Sequence, residues 1–248
     1  MKNIFSNNYL KINLYKKNSK KSEVVSQMIY GESFIVLKKN KQWLKIKIKE
    51  DGYIGYIIKK KYSNYIRPTH KVCVLKAKIY KKPSISKKIN ELTFGSKIMA
   101  VDTKAGFTKF HNKWIKNKDI KILKFKNKDF FKDIKTFKNV KYLWGGKTFN
   151  GLDCSALVQI FLNFNNINFP RDAEDQAKYI HKKIKLKDIK KNDILFWKGH
   201  VAIALSKKNL IHAYGPMKKT VIMNINKTIK KIKSEAKLDL ISVKRLKG

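Results

Sequence analysis

The stretch Gly151-Leu152-Asp153-Cys154-Ser155-Ala156-Leu157-Val158-Gln159-Ile160-Phe161 decides the fold of the C-terminal half of this chain. Gly151-Leu152-Asp153 reads as a turn into a helix N-cap, and Leu157, Ile160, Phe161 and Phe164 follow at helical spacing. Cys154 therefore starts a buried helix. There, unpaired backbone N–H groups and the positive end of the helix dipole favour a thiolate. The neighbouring Asp153 carboxylate opposes that ionisation, so a second cation is needed, and His200 is a candidate.

Working outward, His200 stands 46 positions after Cys154, and His212 a further 12 on. A thiol acts as a nucleophile near neutral pH when its pKa is lowered and a base takes its proton, and a cysteine with two downstream histidines supplies both. His200 follows the turn Trp197-Lys198-Gly199 and opens Val201 to Leu205, a buried strand; Leu210 to Tyr214 returns beside it. Whether the two histidines share a face depends on the residues the turn consumes, because a one-residue slip reverses every side chain. The sequence leaves that register open.

Tyr142, Trp144-Gly145-Gly146, Gly151, Asp153-Cys154-Ser155, Gly199-His200-Val201 and Ile211-His212-Ala213 together resemble the NlpC-type papain-like cysteine peptidases, which cut bacterial cell-wall peptides. The resemblance covers roughly residues 126 to 248. It implies Cys154 as nucleophile, His200 as base, His212 as the group that orients His200, and Tyr142 beside the oxyanion. Ala156 departs from the family's usual glycine, and one methyl group there is expected to be tolerated.

The preceding residues look like two diverged copies of one unit. Lys11-Ile12-Asn13-Leu14-Tyr15-Lys16-Lys17 recurs as Lys76-Ala77-Lys78-Ile79-Tyr80-Lys81-Lys82, Gly31 answers to Gly95, and Tyr56-Ile57 to Trp114-Ile115. Short alternating apolar segments broken by Gly, Asn or Lys are the pattern of a small β-barrel. Both copies resemble bacterial SH3-like domains. The expected architecture is an α+β papain-like catalytic domain over residues 126–248, preceded by two small all-β SH3-like barrels over 1–66 and 67–125.

Two such barrels ahead of an NlpC-type domain resemble the γ-D-glutamyl-L-diamino acid peptidases, or dipeptidyl-peptidase VI, and Phe169-Pro170-Arg171-Asp172-Ala173 to Gln176 matches theirs. The resemblance implies a murein peptide substrate with a free N-terminal L-Ala, cleaved after D-Glu. It further implies that Glu32, Tyr53 and Asp153 surround the substrate amine, and that Ser155, Arg171 and Asp172 bound the D-Glu subsite. Ala173 replaces a serine of related members, at a cost of about 0.5–1.5 kcal/mol if one substrate hydrogen bond is lost.

The chain has 59 Lys+Arg against 17 Asp+Glu and a formal charge of +42. Only Arg67, Arg171 and Arg245 are arginines, and the lysines are spread through every segment rather than gathered in a stripe. That pattern is read as compositional drift, with no specific nucleic-acid partner expected. Met1 to Leu14 is interrupted by Asn and Lys before any apolar run of signal-peptide length, and no run reaches membrane-spanning length. A cytoplasmic enzyme is expected. Cys73 is the other thiol; no disulfide, metal or cofactor is expected. Trp43, Trp144 and Trp197 are expected to be packing residues, while His70, His111 and His181 lack motif context.

Overall fold

The computed structural model describes residues 4–85 and 87–246. The chain divides into two compact units, one of residues 1–126 with 147–149, the other of 127–146 with 150–248. Among the described residues no helix is long and apolar enough to cross a membrane.

The first unit is built of strands. A seven-stranded sheet takes Val24–Ile29, Lys11–Tyr15, Ile54–Ile58, Trp43–Ile48, Ser33–Lys39, Ile4–Ser6 and Ser63–Asn64 in that order. Its alternating inward residues, Ile12, Leu14, Met28, Phe34, Leu44, Ile46, Ile48 and Ile57, form one core. Residues 70–122 form sheets of five and three strands around a second core of Val72, Ala77, Ile79, Leu92, Ile98, Phe110, Ile115 and Ile120.

The repeat seen in the sequence recurs in strand pairing. Tyr15 lies opposite Tyr56 in the first copy, and Tyr80 opposite Trp114 in the second. Gly31 and Gly95 both adopt positive φ, +82° and +80°. At Gly31 a Cβ would also meet the Lys97 carbonyl oxygen at 2.0 Å, so no side chain is possible there.

Lys147-Thr148-Phe149 belongs to the first unit, a placement that the division at residue 126 did not anticipate. Lys147, fully buried, pairs with the buried Glu32 at 2.8 Å. Removing either partner would leave an uncompensated buried charge, a cost of about 3–5 kcal/mol.

The second unit packs helices on a six-stranded antiparallel sheet. Its strands are β1 (Lys183–Ile184), β2 (Ile194–Trp197), β3 (His200–Ala204), β4 (Asn209–Tyr214), β5 (Lys219–Asn224) and β6 (Ser242–Lys244), in the order β1-β6-β2-β3-β4-β5. Helix α1 (Cys154–Phe164) is buried at every position except Asn163 and packs on β3 and β4. A helix apolar all round is the expected centre of such a fold. Helix α2 (Ala173–Tyr179) follows, and α3 (Ile225–Ala236), capped by Asn224, lays Ile225 and Ile232 on the cluster of Leu195, Ala202, Leu210 and Val243.

Candidate active site

The N-cap predicted at Asp153 is formed: Asp153 is extended, and its Oδ1 accepts the Ala156 N–H at 2.8 Å. Cys154 thereby occupies the first helical position, almost wholly buried. Ala156 is fully buried as well, so its methyl group has been accommodated.

The open register is settled by β3 and β4. Ile203 pairs with Ile211 and Ala204 with Leu210, so the even-numbered residues of the two strands share one face. His200 and His212 consequently meet, with His200 Nε2 and His212 Nδ1 2.8 Å apart. That contact leaves His200 Nδ1 for other chemistry. His212 is fully buried, its Nε2 lies 3.5 Å from Met223 Sδ, and its ring stacks on Tyr214 at 4.7 Å. Tyr214 was not singled out from the sequence; its signal is its place two residues after His212 on the same strand face.

The Val201 backbone N–H at the start of β3, next in sequence to His200, acts on the Cys154 thiol and favours its charged form. Burial pushes the thiol up to about 12, and the Asp153 carboxylate pushes the same way. The Val201 N–H, the Arg171 charge and the Ser155 N–H act in the opposite direction. Burial pushes His200 down to about 4, and burial together with His200 holds His212 well below the usual imidazole range. Each group taken singly is thus driven to its neutral form.

The cation beside Asp153 is Arg171. Arg171 donates from Nη1 to Asp153 Oδ1 at 3.0 Å and from Nη2 to Oδ2 at 2.6 Å, and all of it is buried. Ser155 Oγ donates to Asp153 Oδ1 and accepts from Arg171 Nη1. Gly145 N–H donates to Asp153 Oδ2 at 2.9 Å. With the Ala156 N–H, these bonds fill the roughly four acceptor positions of a carboxylate. Asp153 therefore serves the helix start and Arg171.

Tyr142 is bridged to Leu152 beside the nucleophile, and its N–H donates to the Lys218 carbonyl. Its hydroxyl is pushed above the usual range by burial, then by the charges of Cys154 and Asp153. Such a phenol stays protonated and able to donate. Asp172 is exposed at the N-cap of α2, and Gln176 on that helix donates to the carbonyls of Ser155 and Pro170. Trp197 is buried against the His200 ring as packing, and Trp43 is buried in the first unit. Trp144, by contrast, is 56% exposed beside Gly145, because the turn it occupies lies at the surface.

In the first unit, Glu32 Oε1 accepts from Lys147 Nζ and Oε2 from the Ile29 N–H. Its pKa is raised by burial, an effect that Lys147 opposes and Glu50 and Asp51 reinforce. Tyr53 packs at the edge of the first core, its N–H on Asp51 Oδ1.

A cysteine at a buried helix start, together with two strand histidines in contact, is the set of groups that cysteine peptidase chemistry requires. Residues 139–235 match the NlpC/P60 family and residues 14–61 match the bacterial dipeptidyl-peptidase SH3 domain, so the chain carries an NlpC/P60 peptidase domain and a domain of that SH3 type. The chain is similar to the gamma-D-glutamyl-L-lysine dipeptidyl-peptidase of Bacillus subtilis (strain 168), 26% identical over 232 residues, or 83% of this chain and 77% of that protein. A gamma-D-glutamyl-L-lysine dipeptidyl-peptidase of Bacillus cereus is 24% identical over 247 residues, 86% of this chain and 73% of that one. The crystal structure of an NlpC/P60 family protein from Bacillus cereus shares the fold, with a TM-score of 0.83 at 17% identity over 98% of this chain and 99% of that one.

Proposed function

We propose that this cysteine peptidase hydrolyses the γ-D-glutamyl–diamino acid bond of murein peptides that carry a free N-terminal L-Ala, as a cytoplasmic step in the recycling of wall fragments. The observation that carries the chemistry is the 2.8 Å contact between His200 and His212, with the Val201 N–H of the same strand favouring the Cys154 thiolate. The bond assignment is supported by the two relatives named for a γ-D-glutamyl-L-lysine bond.

In the proposed mechanism, His200 takes the Cys154 proton as the sulfur attacks the γ-glutamyl carbonyl carbon. The Cys154 backbone N–H and the Tyr142 hydroxyl donate to the oxyanion. His200 then returns the proton to the leaving amine, and a water activated by His200 hydrolyses the thioester, freeing L-Ala-D-Glu and the thiol. Arg171 offsets part of the Asp153 charge at the sulfur. Recognition of the substrate amine is assigned to Glu32 and Tyr53 together with Asp153. Glu32 retains acceptor capacity beyond its bonds to Lys147 and Ile29.

A second reading, an endopeptidase of intact wall with no need for a free amine, is favoured by the same Glu32–Lys147 pair, because the carboxylate already has a cation. Incubation with L-Ala-γ-D-Glu-diamino acid peptides and with intact peptidoglycan, with products read by mass spectrometry, tests the choice. Release of L-Ala-D-Glu from the free peptides alone supports the first reading. Release of diamino acid-bearing peptide from the intact wall, with L-Ala-D-Glu left on the glycan, supports the second.

A further inference from the structure

The segment Lys147-Thr148-Phe149 lies in the first unit, yet the chain on both sides of it belongs to the catalytic unit. Four bonds hold it in the first unit. The Lys147 N–H donates to Gln27 Oε1 at 3.0 Å, Lys147 Nζ to Glu32 Oε1 at 2.8 Å, and the Phe149 N–H to Thr93 Oγ1 at 3.2 Å; Lys76 Nζ lies over the Phe149 ring at 4.9 Å. Gln27 and Glu32 come from the first strand repeat, Thr93 and Lys76 from the second, so the segment is fastened to both. Gln27, Glu32 and Thr93 are buried, and Gln27 is itself fixed by Asn13 Oδ1 at 2.9 Å.

The ends of this strap meet in a narrow neck. A Cβ on Gly146 would lie 2.4 Å from the Gly151 carbonyl oxygen, so the two strands of the neck touch backbone to backbone. That neck is bonded to the start of α1: the Gly145 N–H donates to Asp153 Oδ2, and the Asp153 N–H reaches the Gly146 carbonyl at 3.4 Å. Cys154 is the residue after Asp153. Whatever fixes the strap therefore fixes, through a few residues of chain, the cap on which the nucleophile stands.

We propose that Lys147 is a positioning residue for Cys154, acting through the strap that Gln27, Glu32 and Thr93 hold. Lys147 touches neither substrate nor sulfur in this role. A small displacement of a reacting group costs much in rate, on the order of a hundredfold for 1 Å.

The test uses Lys147→Met, Gln27→Ala and Thr93→Val in the full-length chain. One readout is the iodoacetamide alkylation rate of Cys154, followed on its own tryptic peptide so that Cys73 does not contribute. The other is kcat and KM on free and N-acetylated forms of the peptide proposed as substrate. Folding is checked by circular dichroism. The expected result for folded Lys147→Met is slower alkylation and a kcat lower by about tenfold or more on both peptide forms, with KM little changed. Wild-type alkylation and kcat in that variant overturn the proposal. An effect confined to KM for the free amine also overturns it, since Lys147 would then only tune the charge of Glu32. Should Lys147→Met fail to fold, the other two variants decide, Thr93→Val removing the bond from the Phe149 N–H and Gln27→Ala the bonds to the Lys147 N–H and to Asn13: slowed alkylation in both supports positioning, and wild-type rates overturn it. Alkylation needs no peptide, so its outcome stands apart from the substrate assignment.

Discussion

Arg171 grips Asp153 at two points, 3.0 and 2.6 Å, one residue before the nucleophile and wholly buried. A guanidinium presents two parallel N–H groups that match a carboxylate, and an ammonium cannot. Arg245, in the same unit, makes the same kind of two-point contact with Asp193, at 2.6 and 2.7 Å. Two of the three arginines in a lysine-rich chain thus sit where lysine would not serve.

Arg171→Lys should accordingly behave as a severe change. One bond to Asp153 and the bond to Ser155 Oγ are lost, at roughly 1.5–3 kcal/mol per charge-assisted bond by the usual range. The less well-neutralised Asp153 charge should also raise the Cys154 thiol further and slow its alkylation. Denaturant unfolding and the pH dependence of alkylation measure the two effects. Wild-type stability and reactivity would mean that the pair is dispensable.

The Cys-His-His set and the doubled barrel were legible because each rests on local pattern: a capped apolar helix at Asp153, short strands, and a repeat that preserves Tyr15 and Tyr80. The register of β3 against β4 was not, since nothing local counts the residues that the turn from Leu205 to Lys208 consumes. Arg171 was expected at the substrate, but its pairing with Asp153 joins residues 18 apart across a loop. Lys147 is one lysine among many, and its partner Glu32 lies 115 positions away. A long-range buried ion pair leaves no periodicity to read.

His212 fixes His200 through one hydrogen bond, and Tyr214 and Met223 fix His212 in turn. His212→Ala should lower kcat by roughly 10²- to 10⁴-fold with a smaller change in KM, as loss of an orienting group frees the imidazole to rotate or change tautomer. His212→Asn, which retains an acceptor and a donor near the same place, should recover part of the loss. Near-wild-type kcat in the alanine variant would show that another group orients His200.

Removing the Tyr142 hydroxyl tests its place at the oxyanion. Tyr142→Phe should lower kcat by roughly 10²- to 10³-fold, the usual cost of one oxyanion donor, while leaving Cys154 alkylation intact. An unchanged kcat would confine Tyr142 to packing against Gly215, where its ring lies 3.5 Å from a Cβ built there.

Acid should both destabilise the catalytic unit and switch it off. His200 is held near 4 and His212 well below the usual value, whereas the unfolded imidazoles titrate near 6.5. Between those values the unfolded chain holds more protons than the native one, so stability falls as pH falls through that window. The thiol pushes the other way: native Cys154 stays protonated up to about 12, while an unfolded thiol ionises near 8.5, so stability also falls as pH rises above that point. Activity should accordingly follow a broad plateau whose limbs belong to the Cys154–His200 pair. Denaturant midpoints and kcat/KM across pH give both curves. A narrow bell centred at neutral pH, without loss of stability at pH 5, would contradict the buried neutral pair.

The last prediction concerns where the substrate begins. In the proposed reading, Asp153 already accepts from Gly145, Ala156 and Arg171 and Glu32 shares its charge with Lys147, so discrimination in favour of a free amine would rest chiefly on the remaining acceptor positions of Glu32 and on Tyr53. Acetylating the L-Ala nitrogen removes the positive charge and adds bulk. The loss should be that of one charge-assisted hydrogen bond rather than of an ion pair, about 1.5–3 kcal/mol in transition-state stabilisation, or roughly ten- to a hundredfold in kcat/KM. Comparison of L-Ala-γ-D-Glu-diamino acid peptides with their N-acetyl forms measures that ratio directly. A ratio near one would remove Glu32 and Tyr53 from substrate recognition and favour the wall endopeptidase reading, while leaving the chemistry of Cys154 and His200 unchanged. A ratio far above a hundredfold would mean that Glu32 meets the substrate as a full charge, and that Lys147 gives way when the peptide binds.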